Sequence, residues 1–384
     1  MKTLLHYISI LIISLIYNSS SYGQALLTAR TAPSDFQKAI ELFEKQKYEA
    51  AQDYMDRYVA EHPGSEYAIE ASYYAAFCAV KLDRADGEER FHQFVRKYPH
   101  HHQATLAYYE LGNIYCNKQN YAKCIEYYLA VDLNQVDNAL RAELQYRLAY
   151  AYLSEKDFDR ALEYFNYIKN HDGPYTAASN YYAGYLALKK GDYKTALTDL
   201  YKAGENEAYE AVVPYLILEV LYQAKKFDEV IAYAKEIQVK QPSLKNQEDI
   251  ELLTAESYFF LKNYKTAILH YENYNYLQPS EVTDEIRYRL AYALYQTGDN
   301  YKSLKYLKEL ALEGGKFSQL ASYYMGLIYI KTNQKNLALA AFDQARQLNF
   351  LNDIQLEAAF QYAQLSYELG NLPVAIDALQ KFKK

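Results

Sequence analysis

From Ser34 to the end of the chain, small apolar, large apolar and polar residues recur in the same order every 34 to 37 positions. The segment Gly191-Asp192-Tyr193-Lys194-Thr195-Ala196-Leu197 serves as the opening of the second helix of one period. The column through Ala196 then reads Ala51, Gly87, Cys124, Ala161, Ala196, Val230, Ala267, Ser303, Ala338 and Ala375, and only Val230 is not small. Twelve positions earlier stand Ala39, Ala75, Gly112, Ala149, Gly184, Leu218, Ala255, Ala291, Gly326 and Ala363. Two antiparallel helices packed closely need small side chains where their backbones cross. Four positions after the small residue of the second helix come large ones: Met55, Phe91, Tyr128, Phe165, Leu200, Tyr271, Leu307, Phe342 and Leu379. The exception, Ala234, belongs to the period whose crossing residues are Leu218 and Val230, so volume lost at one position returns at its neighbours.

Turn chemistry keeps the same period. Pro63, Pro99, Pro242 and Pro279 stand twelve residues after the small residue of the second helix, and Gly173 and Gly315 take that place in two other periods. Proline forbids further helix and glycine permits a left-handed exit. Asp157, Asp192 and Asp228 lie near the starts of second helices, where a carboxylate accepts orphan amides or favours the helix dipole. No segment alternates with period two between turn signals, so no strand is expected.

The pattern resembles the tetratricopeptide repeat family. The resemblance is carried by stretches such as Tyr108-Tyr109-Glu110-Leu111-Gly112-Asn113-Ile114-Tyr115 followed by Tyr121-Ala122-Lys123-Cys124-Ile125-Glu126-Tyr127-Tyr128. Units reading Tyr58-Val59-Ala60-Glu61-His62-Pro63-Gly64-Ser65 and Phe94-Val95-Arg96-Lys97-Tyr98-Pro99 are similar to exported cell-envelope scaffolds of Bacteroidota. The resemblance implies an all-α, right-handed superhelical solenoid of about ten hairpins over residues 33–384, with first helices lining the concave side. The second unit departs from the pattern at Arg84 and Gly87 and is expected to be the loosest. In the last unit Val374, Ile376, Ala378 and Leu379 have no helix after them in the sequence, so a partner or a longer array is expected to cover that end.

Residues 1–23 read as a signal peptide: Lys2, an apolar run from Leu4 to Tyr17, then Asn18-Ser19-Ser20-Ser21-Tyr22-Gly23 with Ser21 and Gly23 in a small-x-small pattern that leaves Gln24 first. The run is shorter than the roughly 20 residues that span a bilayer, so no membrane span is expected after cleavage. Residues 24–32 form a short linker. The chain is therefore expected to be exported, either periplasmic or associated with the outer membrane. Cys116 and Cys124 could meet across one hairpin, but they and Cys78 also fit packing positions, and packing is the expectation.

The formal charge of −7 and the lack of any Lys/Arg run longer than two argue against nucleic acid as a partner. His100-His101-His102 is the metal-like cluster, and consecutive histidines cannot all face one ion, so a solvated loop is expected and no metal or other cofactor. No phosphate cradle, zinc helix or nucleophile elbow is present in the sequence, which reads as non-catalytic.

What remains is tyrosine, 46 of them with no Trp. Fourteen or fifteen positions before the small residue of the second helix stand Phe36, Ser72, Tyr109, Tyr146, Tyr182, Tyr215, Leu252, Tyr288, Tyr323 and Phe360, and one turn later Tyr150, Tyr185 and Tyr292 extend the stripe. A phenol ring stacks with its face and directs with its hydroxyl. Tyr109, Tyr146, Tyr150, Tyr182, Tyr185, Tyr215, Tyr288, Tyr292 and Tyr323 are therefore the candidate residues of a concave face gripping a protein or peptide partner in the cell envelope, or alternatively a glycan such as peptidoglycan. Among inner-helix positions that hold a C-terminal carboxylate in one branch of the family, only Asn113 matches, so that mode is not expected.

Overall fold

The computed structural model describes residues 32–240 and 246–382. The signal peptide, nearly all of the linker and Pro242 lie outside the described residues. Among the described residues the chain forms twenty α-helices, one short 3-10 turn at Pro279–Glu281 and no strand. They divide into two units, Met1–Leu186 and Ala187–Lys384.

The first unit holds α1 (Ser34–Glu44), α2 (Tyr48–Glu61), α3 (Glu66–Lys81), α4 (Gly87–Lys97), α5 (His102–Asn117), α6 (Tyr121–Leu129), α7 (Asn138–Ser154), α8 (Phe158–Ile168) and most of α9 (Thr176–Lys189). The second holds α10 (Tyr193–Gly204), α11 (Val213–Gln223), α12 (Phe227–Lys240), α13 (Gln247–Phe260), α14 (Tyr264–Leu277), α15 (Asp284–Thr297), α16 (Asn300–Glu313), α17 (Gly315–Lys331), α18 (Lys335–Gln347), α19 (Asn352–Glu368) and α20 (Leu372–Phe382). Odd-numbered helices are the first of each hairpin and even-numbered helices the second.

The small residues do what their column implies, with one refinement. A Cβ on Gly112 would lie 2.3 Å from the Tyr128 ring, and one on Gly326 2.6 Å from Phe342. The glycines on the first helix therefore make room for the large residue of the second helix, not only for its backbone. Of those large residues Met55, Phe91, Phe165, Leu200, Tyr271 and Leu307 are fully buried, whereas Leu379 in the last hairpin is exposed. In the sixth hairpin Leu218 and Val230 fill the crossing, yet beside Ala234 the packing stays incomplete. A cavity of about 460 Å³ opens there, lined by Ala234, Ile237, Ile250 and Tyr258 and by Glu251 and His270, whose Oε2 and Nδ1 are 2.6 Å apart.

Each hairpin closes with the same device. One residue adopts the left-handed conformation: Gln46, Asp83, Gln119, Lys156, Gly191, Lys225, Lys262, Gly298, Asn333 and Gly370 in turn. The next residue donates its amide to the carbonyl five positions back, as Lys47 does to Leu42, Asp192 to Ala187 and Lys226 to Leu221, each at 2.9 Å. This is the Schellman closure of a helix C-terminus. In several hairpins the same residue then caps the second helix. Asn120, Asp157, Asp192, Asn263 and Asp299 accept from an amide three positions on. Asp228 instead lies inside the first turn of α12, where it faces the helix dipole.

The second hairpin corrects two expectations. The left-handed residue comes seven positions after the small residue of the first helix everywhere except here, where Asp83 is eight after Ala75 and seven after Ala76. Its first helix is in register on Ala76, so Tyr73, not Ser72, occupies the aromatic column; Tyr73 packs 5.7 Å from Phe91 as Tyr109 packs 5.9 Å from Tyr128. Gly87 does not loosen the hairpin but lets α4 start against α3, since a Cβ there would meet the Val80 amide nitrogen at 2.9 Å.

The cysteines also differ from expectation. Cys116 in the last turn of α5 and Cys124 in α6 form a disulfide, with Cα atoms 5.2 Å apart, within the range such a bridge requires. Cys78 is the buried, free thiol, and burial pushes its pKa up to about 12. His101 caps α5, its Nδ1 accepting from the Gln103 amide at 3.3 Å, while His100 is exposed. Among the described residues no group of three His, Cys, Asp or Glu could hold a metal ion, and no helix is long and apolar enough to cross a membrane.

Candidate functional site

The aromatic column lies three positions before the small residue of each first helix. In strict register its fifth member is Tyr181, with Tyr182 beside it; both are buried. In the first unit the column is packing material. Phe36, Tyr73, Tyr109, Tyr146 and Tyr181 are all at most 8% exposed. Each ring meets another: Phe36 lies 5.3 Å from Tyr67, and Tyr146 stacks 4.8 Å from Tyr175. Tyr67 at the start of α3 and Tyr175 just before α9 thus cover Phe36 and Tyr146. Tyr182 stacks 5.1 Å from Phe165. Tyr150 and Tyr185, one turn on, are half-buried.

In the second unit the same column opens. Tyr215, Leu252, Tyr288 and Tyr323 are half-buried and Phe360 is exposed. Around Tyr288 and Tyr292 the rings form a continuous half-buried sheet of faces and edges. Tyr288 lies 5.7 Å from Phe317, Tyr292 5.2 Å from Tyr324, and Tyr324 5.3 Å from Tyr295. Tyr324 and Tyr295 do not stand out in the sequence; they sit one position and one turn off the columns counted there. Lys331 sets its ammonium 3.9 Å from the Tyr295 ring centre.

Charged groups are embedded among these rings. On α5 and α7, Glu143 accepts from Tyr109 Oη at 2.7 Å and pairs with Arg147 Nη2 at 2.7 Å. Tyr128 donates to Asn113 at 2.6 Å, so Asn113 is a packing partner of the second helix. Burial pushes the Glu110 carboxyl up, against the opposing bond from Asn113. On α13 and α15, buried Glu256 accepts from Tyr271 at 2.7 Å and pairs with Arg289. Arg289 also binds Glu285 at 2.6 Å and lays its guanidinium 5.1 Å from the Phe260 ring centre. On α11 and α13, Glu219 and Asp249 are half-buried, and burial raises both carboxyls. The arrangement offers stacking faces, hydroxyl groups and carboxylates held by rigid helices, which suits recognition of a chain laid across them.

Residues 70–101 and 146–210 each match a tetratricopeptide repeat family. No curated protein matches the chain. Among solved structures, the C-terminal part of a TPR repeat-containing protein from Cytophaga hutchinsonii is similar at 18% identity, over 65% of this chain and 98% of that one, with a TM-score of 0.52. A tetratricopeptide repeat protein from Parabacteroides merdae is similar at 14% identity, over 67% and 97% of the two chains, with a TM-score of 0.44. The matched segments, the shared fold and the hairpin repeated from α1 to α20 lead to one conclusion: residues 70–101 and 146–210 are tetratricopeptide repeats, and the described helices around them continue the same hairpin fold.

Proposed function

We propose that the chain is an exported, non-catalytic scaffold of the periplasm or cell envelope that binds a protein or peptide partner on the tyrosine-lined faces of its first helices. The observation that carries this reading is the half-buried ring surface around Tyr288, Tyr292, Tyr295 and Tyr324. Rings already ordered by their neighbours offer large contact area at little further entropy cost, the property of interface hot spots. Export is supported by the N-terminal signal-like segment and by the Cys116–Cys124 disulfide, a bond that persists in oxidising compartments and is rare in the cytosol.

Crosslinking followed by capture from the periplasm tests both parts. The chain is expected there with Gln24 as its first residue and Cys116 and Cys124 resistant to alkylation until reduced. Tyr292→Ala combined with Tyr215→Ala is expected to reduce partner capture by about tenfold or more, the loss of roughly one hot spot, with helicity unchanged. Undiminished capture by a folded double variant would remove this face from consideration. Retention by isolated peptidoglycan in place of any protein would favour the glycan reading.

A further inference from the structure

The repeat supplies its own reference for one groove beside the second helices. In the third and fourth hairpins a tyrosine of the first helix stacks on a tyrosine of the second. Tyr115 meets Tyr127 at 5.3 Å with the planes 8° apart, and Tyr152 meets Tyr164 at 5.8 Å. In the seventh hairpin the same two places hold Tyr258 and His270, stacked at 5.5 Å with the planes 13° apart. Beside the Tyr115–Tyr127 pair the groove is filled. Phe91 of the preceding second helix is fully buried, and its neighbour His92 lies 5.7 Å from the Tyr127 ring and 6.4 Å from the Tyr115 ring. The imidazole meets both hydroxyls, with Nδ1 3.4 Å from Tyr127 Oη and Nε2 3.4 Å from Tyr115 Oη. Lys123 sets its ammonium 4.8 Å from the Tyr115 ring centre.

Beside Tyr258 and His270 the groove is open. The places of Phe91, His92 and Lys123 are taken by Ala234, Lys235 and Thr266, and all three border the cavity of about 460 Å³. Ala234, Ile237 and Ile250 give it an apolar wall. Thr254 directs its hydroxyl to the Ile250 carbonyl at 2.7 Å, and Thr266 directs its own to Asn263 at 3.0 Å. Glu251 lies 2.6 Å from His270 Nδ1, and a carboxylate only accepts, so Nδ1 carries the hydrogen of that bond. Nε2 is the nitrogen left over, and among the described residues none meets it. A half-buried polar atom gains from a partner delivered to it. A hydroxyl answers Nε2 in either protonation state, because it both donates and accepts. The third hairpin shows that pairing with the roles exchanged: there an imidazole enters the groove and meets phenols, and here a phenol would enter and meet an imidazole.

We propose that this cavity seats a tyrosine side chain of the partner, its ring against the Tyr258–His270 pair and its hydroxyl on His270 Nε2. The proposal rests on the scaffold reading and narrows it: the partner anchors one tyrosine between the second helices of the sixth and seventh hairpins. The filled groove selects the occupant, since His92 is a ring with a polar edge carried on a backbone that passes outside. A phenylalanine would leave Nε2 unanswered, and a serine would leave the apolar wall in water.

The full-length protein is titrated with N-acetyltyrosinamide, with its phenylalanine counterpart and with a Gly/Ser peptide carrying one tyrosine, and the ring signals of isotope-labelled histidines are followed by NMR. The tyrosine derivative is expected to bind about tenfold more tightly than the phenylalanine derivative and to shift the His270 signals. The peptide is expected to bind at least as tightly as the free derivative. His270→Phe keeps a ring on Tyr258 and removes the nitrogen, and is expected to erase the tenfold preference. Ala234→Phe restores the residue type of Phe91 and is expected to abolish binding of both derivatives. Equal binding of the two derivatives, no binding of the tyrosine derivative, a preference that survives His270→Phe, or a peptide that fails to bind overturns the assignment. The scaffold reading fails separately, if the wild-type chain captures no periplasmic partner. The tyrosine seat alone fails if a captured partner is held equally well by a folded Ala234→Phe chain.

Discussion

The same repeat position serves opposite purposes in the two units. In the first, Phe36, Tyr73, Tyr109, Tyr146 and Tyr181 are core; in the second, Tyr215, Tyr288 and Tyr323 keep part of each ring at the surface. The difference does not lie in the column, which is aromatic in both apart from Leu252. In the first unit Tyr67 lies over Phe36 and Tyr175 over Tyr146; in the second Tyr288 stays half-buried although Phe317, at the same place in the repeat, lies 5.7 Å away. The same residue type at the same repeat position is thus structural in one unit and partly available in the other, according to what packs around it.

Substitution at matched positions is the most severe way to break this comparison. Tyr146→Ala empties a packed site and is expected to cost about 3–5 kcal/mol, whereas Tyr323→Ala is expected to cost about 1–2 kcal/mol. Chemical denaturation of the two variants measures the gap, and equal losses would show the exposure difference to be energetically idle. Next in size, reducing the Cys116–Cys124 disulfide is expected to lower stability by about 2–3 kcal/mol, the loop-closure value for so short a bridge. Melting with and without reductant reads this directly.

A smaller effect is tied to pH. Burial raises the Glu219 carboxyl, so the folded state favours its protonated form, and stability present at low pH is lost as pH rises through the folded value. Glu219→Gln is therefore expected to raise the melting temperature at neutral pH. It is expected to leave it unchanged at about pH 3, below the ordinary glutamate value, where both states hold the proton. A rise that persists in acid would point to packing instead. Smallest of all, Lys225→Gly relieves a left-handed residue at the cost of a freer unfolded chain, for a net gain of roughly 0.5 kcal/mol.

Much of this architecture is legible in the sequence because small and large residues alternate in columns that only a helical hairpin explains. Ala39 with Ala51 and Gly112 with Tyr128 each state a packing rule in their residue types. The turns are not legible, since seven of the ten left-handed positions carry Gln, Asp, Lys or Asn rather than Gly, and a lysine such as Lys156 advertises nothing about its backbone. The slip at Asp83 is hidden because Ala75 and Ala76 are both small. The disulfide is masked because Cys124 fits the small column so well that packing accounts for it. The tyrosine column is plain, but its division into buried and half-buried members is not, since Tyr109 and Tyr288 are the same residue at the same place in the repeat. Arg289 gains meaning only through its pairing with both Glu256 and Glu285.

The recurring closure between paired helices has a kinetic consequence. Since Lys47 reaches Leu42 and Lys226 reaches Leu221 without help from distant segments, each hairpin can nucleate on its own and the contact order of the chain stays low. Such a molecule is expected to assemble quickly from any starting point and to come apart by fraying segment by segment rather than in one cooperative step.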